Sequence, residues 1–140
     1  MKCKPILIVP GDPNSVFFEI FFKSIKKNNY KSPLILISSL DLVKKEIKRF
    51  NVKKKIKLLD QISLNNTRID NKKINLINVE NNSFLNIKKN PNHAKKYINY
   101  CFEIAFSILR KKITNKLVNG PIDKSIFLSK KFLSIPEFIS

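Results

Sequence analysis

Four apolar residues, Ile6-Leu-Ile-Val9, run straight into Pro10-Gly-Asp-Pro13, and this stretch limits the folds open to the chain more than any other. The run is rich in β-branched residues, too short for a helix and bounded by prolines. It reads as a strand buried on both faces, the kind found inside parallel sheets. Neither proline of the break can donate a hydrogen bond, and Gly11 tolerates a positive φ, so the chain turns sharply there. Asn14 or Ser15 can cap the next segment, whose apolar residues predict a helix over residues 15–28. Ligands of open α/β sheets sit at junctions of this kind, beyond the carboxyl ends of strands. Taken alone, the stretch reads more simply as an ordinary βα turn.

A second junction of the same type lies about a hundred residues further on, in Lys116-Leu-Val-Asn-Gly-Pro-Ile-Asp-Lys124. It combines a short apolar strand, a Gly-Pro break and a helix starting near Asp123. Between the two junctions, Pro33-Leu-Ile-Leu-Ile37 reads as another buried strand. Ser38 or Ser39 then caps a helix whose apolar stripe is Leu40, Val43, Ile47 and Phe50. Residues 56–59 predict a short strand interrupted by Lys57, and residues 60–71 lack an apolar period and read as loop. Residues 74–79 predict a strand with a sheet edge as its place. The Asn-rich residues 80–91 read as loop with an extended piece at 84–87.

The clearest helix covers residues 92–112, with Tyr97, Cys101, Ile104, Ala105 and Ile108 on its inward face. A helix over 123–129 and a further element from Phe132 end the chain. Strands alternating with helices predict an α/β fold, a largely parallel sheet with flanking helices.

Composition removes several functions. The 140 residues are 43% apolar, enough for a core and not a disordered composition. No apolar run approaches the roughly 20 residues of a membrane span. The run after Lys2 and Lys4 stops at Val9, which makes a poor signal peptide and predicts a cytoplasmic protein.

The net charge of +18 invites a nucleic-acid reading. Lys supplies 25 of the 28 basic residues, however, with Arg only at Arg49, Arg68 and Arg110. Nucleic-acid sites lean on Arg for bidentate contacts, and abundant Lys, Asn and Ile are what an AT-rich coding sequence favours. The lysines, Lys53-Lys54-Lys55 included, fall all along the chain and form no single stripe, so a nucleic-acid partner is not expected. Cys3 and Cys101 make no Cys-x-x-Cys, and Cys101 reads as a small buried hydrophobe.

Pro-Gly-Asp-Pro near the start and Asn-Gly-Pro-Ile-Asp-Lys later, in this order and spacing, resemble 4-hydroxythreonine-4-phosphate dehydrogenase, the NAD-dependent family of pyridoxal phosphate (vitamin B6) biosynthesis. The resemblance implies an isocitrate-dehydrogenase-like α/β fold. It makes residues 1–140 the N-terminal part of a dehydrogenase-like domain, with the C-terminal half absent. The implied reaction is oxidation, then decarboxylation, of 4-phosphooxy-L-threonine by a cytoplasmic homodimer that uses NAD and a divalent metal (Zn, Mg or Co). Gly11, Asp12, Gly120, Lys124 and Glu137 match family positions and become the substrate-binding candidates. Pro13, Glu19, Pro121, Ile122 and Phe138 match as well.

Two departures stand out. Where the family has Gly-Ile-Gly-Pro, this chain has Ser15-Val-Phe-Phe18, and a bulky Phe17 resists positive φ and close backbone approach. Where the family carries Gly-His-Thr-Glu, it has Ser134-Ile-Pro-Glu137. Neither Ile135 nor Pro136 can donate a side-chain hydrogen bond as the family's His and Thr do. A first-turn acid at a helix start explains Glu137 equally well.

The family's three metal-binding histidines would lie beyond residue 140, and His93, the sole histidine, reads as a solvent-exposed first-turn residue. This chain alone is therefore expected to be inactive, and also poorly soluble because apolar sheet surface lies uncovered. There is no Gly-x-Gly-x-x-Gly or Walker loop, so a standard Rossmann dehydrogenase is excluded, and one imidazole builds no Ser-His-Asp set. A non-catalytic α/β binding domain is the rival reading, and a basic nucleic-acid module is a weaker one.

Overall fold

The computed structural model of the chain describes residues 3–80 and 87–122. Five strands, β1 (Ile6–Val9), β2 (Leu34–Ser38), β3 (Ile56–Leu58), β4 (Ile74–Asn78) and β5 (Lys116–Asn119), form one sheet in the order β3-β4-β2-β1-β5. Every pairing is parallel, with Leu7 opposite both Ile35 and Leu117, and Leu36 opposite Leu76. The continuous apolar runs are buried on both faces as such a sheet requires: Leu7, Ile35, Leu36, Ile37 and Leu76 are almost wholly inaccessible. The fold class is as expected.

Among the described residues three α-helices cover the sheet: α1 (Phe17–Lys27), α2 (Leu40–Arg49) and α3 (Pro91–Arg110). Right-handed crossovers set α1 and α2 on one face and α3 on the other. Four phenylalanines of α1, at 17, 18, 21 and 22, are buried with ring centroids 5.2–5.7 Å apart. Phe22 meets Phe50, just past α2, at 6.0 Å. On the other face Tyr97, Cys101, Phe102, Ala105 and Ile108 of α3 are buried.

Four local expectations need correction. β4 is not an edge strand; it lies between β3 and β2, and β3 takes the edge with Leu58 exposed. The polar alternation of Ile-Asn-Leu-Ile-Asn imitated a half-solvated strand, but Asn75 is buried and satisfies the carbonyls of Leu34 and Asp70. Residues 60–71 are not all loop: Asp60 caps a short 3₁₀ helix, Gln61–Asn66, by accepting from the Ile62 N–H. The stripe of α2 is rotated, with Leu42, Val43 and Glu46 buried while Leu40, Ile47 and Phe50 are half-buried. Of the extended piece expected at 84–87, residues 84–86 lie outside the described residues and Ile87 sits in a turn. The helix expected at 123–129 and the element from Phe132 also lie outside them.

Candidate functional site

β1 leads through α1 to β2 on one side, whereas β4 leads through α3 to β5 on the other. The order therefore reverses at β1, and the switch point lies beyond the carboxyl ends of β1 and β5. Open α/β sheets bind their ligands in that crevice. Both proline-punctuated junctions lie there.

Backbone contact joins them. The Gly120 N–H donates to Val9 O at 2.8 Å, and the Asp12 N–H donates to Pro121 O at 2.8 Å. The approach is close enough that both glycines are required. A Cβ on Gly11 would stand 2.5 Å from Pro121 O, at a φ of +82°. A Cβ on Gly120 would stand 2.8 Å from the Pro10 carbonyl carbon and closer still to its oxygen. Asp12 then shapes the turn, since its side chain accepts from the Asn14 N–H at 2.9 Å and its carbonyl from the Ser15 N–H at 3.0 Å. The expected cap is only partly realised. α1 starts at Phe17 after Val16, with Ser15 Oγ accepting from the Phe17 N–H at 3.3 Å.

A cavity of about 150 Å³ opens beside this turn on the α3 side, lined by Asp12, Asn14, Lys88, Lys89, Lys95 and Ile122 among others. The first turn of α3 walls it, with Asn90 capping by accepting from the Asn92 and His93 N–H groups. With Lys88 paired elsewhere, Lys89, Lys95 and the positive end of a helix stand against the one carboxylate of Asp12, a balance that favours an anionic ligand.

Lys88 also ties the crevice to the opposite helix layer. Its carbonyl accepts from Asn14 Nδ2 at 2.6 Å, and its ammonium pairs with the buried carboxylate of Glu46, which also holds Arg49 at 3.5 Å. Sequence reasoning missed Glu46, Lys88 and Lys95. Only Glu46 left a trace, since it stands four residues after Leu42 and three after Val43, on the buried side of α2.

Of the sequence candidates, Gly11, Asp12 and Gly120 meet in the crevice, while Lys124 and Glu137 lie outside the described residues. Glu19 points away in a pair with Lys23 at 3.3 Å on α1. His93 is third in α3 and half-buried, a correction to the solvent-exposed reading. Phe17 adopts no positive φ; it opens the helix, buries its ring against Phe21, and reaches within 2.8 Å of where a Gly120 side chain would begin. Behind the crevice the Tyr97 hydroxyl meets Ser38 Oγ and accepts from the Ser39 N–H at 3.1 Å, pinning α3 to the end of β2. Burial, with the neighbouring Cys101 thiol adding to it, lifts the Tyr97 phenol well above its usual 10.0. Burial likewise pushes the Cys101 thiol up to about 12.

Among the described residues no three His, Cys, Asp or Glu side chains come together as metal ligands, so these residues do not fit a metal site. No helix among them is long and apolar enough to cross a membrane.

No family model and no curated protein matches the chain by sequence. Solved structures do match. The 4-hydroxythreonine-4-phosphate dehydrogenase of Klebsiella pneumoniae superposes with a TM-score of 0.76 at 15% identity, over 96% of this chain and 43% of that one. The enzyme of the same name from Burkholderia phymatum gives 0.74 at 15% identity, over 97% of this chain and 42% of that one. The chain has the fold of these dehydrogenases over less than half of their length.

Proposed function

We propose that this chain is the N-terminal part of a protein similar to 4-hydroxythreonine-4-phosphate dehydrogenase, and that its switch-point crevice receives a small phosphorylated substrate. The observation that carries this reading is the clasp of Gly11-Asp12 on Gly120-Pro121 beside a lysine-lined cavity. Lys89 and Lys95 would attract the phosphate, while Asp12 would accept from a hydroxyl or amino group of the substrate. NAD, as hydride acceptor, and a divalent metal belong to the implied oxidation and decarboxylation. The described residues offer no metal grouping, so the role derived for this chain is binding and orientation. A homodimer and a cytoplasmic location belong to the same reading.

Lys124 and Glu137 remain candidates, and Ile135-Pro136 replaces the family's donors, so the chain alone is proposed to be inactive. The test titrates 4-phosphooxy-L-threonine into the chain, then adds NAD and a divalent metal. Saturable binding that shifts the amide signals of Asp12, Asn14 and Lys95, without NADH formation, is expected. NADH formation would overturn the inactivity, and no binding would overturn the substrate site.

A non-catalytic binding domain is the second reading, favoured by the Phe17 ring lying over Gly120. Binding of inorganic phosphate with no preference for the phosphorylated amino acid would support it. Exposed lysines stand on α1, α2, α3 and β5 alike, which gives a nucleic-acid module no single basic face.

A further inference from the structure

A second cavity, about 370 Å³, lies at the opposite, amino-terminal edge of the sheet, where β2 and β4 begin. Its size falls in the range of small-molecule sites. Phe21 and Ile25 of α1 give it an apolar wall, Lys54, Lys72 and Lys73 a basic rim, and Asn75 a polar lining.

Asn75 is 2% exposed, and its Nδ2 donates to Leu34 O at 3.0 Å and Asp70 O at 2.8 Å. Those two carbonyls fix the orientation of the amide, because a flipped group would set its oxygen against both acceptors. Oδ1 is left buried with no partner among the described residues. Orphan acceptors of this kind are few in folded proteins and call for a partner. The lysines also have capacity to spare. Lys54 gives one hydrogen bond to Asn71 O at 2.7 Å, and no carboxylate pairs with Lys54, Lys72 or Lys73 among the described residues.

We propose that this cavity binds a small organic anion of nucleoside-monophosphate size. Its phosphate is held by Lys54, Lys72 and Lys73, its flat body packs on Phe21 and Ile25, and an N–H of its base takes up the unpartnered Asn75 Oδ1, which binding must first uncover. The site is separate from the crevice, so its failure would leave the substrate reading untouched.

AMP is the probe, titrated into the full chain labelled with ¹⁵N, with adenosine and ribose 5-phosphate as half-ligands. Saturable AMP binding is expected, moving the amide signals of Leu34, Ile74 and Asn75 but not those of Asp12 and Asn14. Each half-ligand should bind about tenfold or more weakly, and so should AMP to the exposed-surface variant Lys72→Glu/Lys73→Glu. Absence of saturation overturns the proposal. So does ribose 5-phosphate binding as tightly as AMP, which marks an ion contact only, and so does full affinity in the double variant.

Discussion

Replacing Gly120 by Ala tests the clasp most directly. The new methyl carbon would lie 2.8 Å from the Pro10 carbonyl carbon and 2.8 Å from Phe17 Cδ1, with Pro10 O closer still. Ordinary carbon contacts are about 3.5–4.0 Å, so the two turns must part by about 1 Å. Both 2.8 Å bonds across the junction, Gly120 N–H to Val9 O and Asp12 N–H to Pro121 O, would then exceed the useful range of about 3.2 Å. Each lost bond costs about 1 kcal/mol net, and more where the groups stay buried. Displacing the Phe17 ring adds an overpacking cost of about 1–3 kcal/mol. The sum is about 3–5 kcal/mol, a large share of a typical domain stability of about 5–15 kcal/mol. Urea unfolding followed by circular dichroism measures it, with Lys116→Ala on exposed β5 as a control expected within about 0.5 kcal/mol of the parent. A loss below about 1 kcal/mol at unchanged m would refute the reasoning, because the turns would have to part without losing anything.

The packing sets three further outcomes. Lys88→Met strands the Glu46 carboxylate, 3% exposed, with only the largely exposed Arg49 beside it among the described residues. It should destabilise by about 1–3 kcal/mol, and adding Glu46→Gln should recover part of the loss in a double-mutant cycle. Phe17→Ala should cost about 3 kcal/mol in the same urea assay, since the ring is buried. Of the two thiols, Cys3 is exposed and Cys101 buried, so a colorimetric thiol reagent at pH 8 should titrate Cys3 at once and Cys101 only on unfolding. The Cys101 thiol goes from its ordinary 9.0 up to about 12. The native state therefore holds its proton while the unfolded state loses it. The contribution is fully present below pH 9 and falls away toward pH 12, by up to about 1.4 kcal/mol per pH unit; stability flat across that window in urea melts would contradict it.

Much of this was legible because it is local. Prolines and glycines fix turns through the dihedral angles of their own residues, so both junctions could be placed from the sequence, and parallel strands advertise themselves as unbroken apolar runs. What was not legible depends on distant partners. Glu46 is buried with Lys88, 42 residues away in sequence, as its counter-charge; on α2 alone its spacing from Leu42 and Val43 puts it on the buried side but supplies no partner for the charge. Asn75 makes β4 look half-solvated until the carbonyls of Leu34 and Asp70 are known to face it. No single-sequence period supplies either partner. The resemblance named residues of both junctions as candidates, and the β1–β5 pairing is what brings them together, setting Val9 beside Asn119 and Gly11 against Pro121.

Phe17 fills the space directly over Gly120. The residues around it need no glycine, because positive φ among the described non-glycine residues occurs only at Asn51 and Lys112. Gly120 does need to be glycine, since the Pro10 carbonyl occupies the space of any side chain there. With the backbone requirement confined to Gly11 and Gly120, position 17 is open to a large side chain, and its ring stacks on Phe21 at 5.5 Å and meets Phe18 at 5.2 Å. The same ring that fills the space over Gly120 therefore adds to the burial holding the junction together. Space remains on the α3 side, where Lys89 and Lys95 stand beside Asp12 and Ile122. A ligand entering on this side would set its negative group toward the start of α3, while a second opening of about 300 Å³, lined by Asn14, Ser15, Phe18 and Glu46, adjoins the same turn from the α1 side.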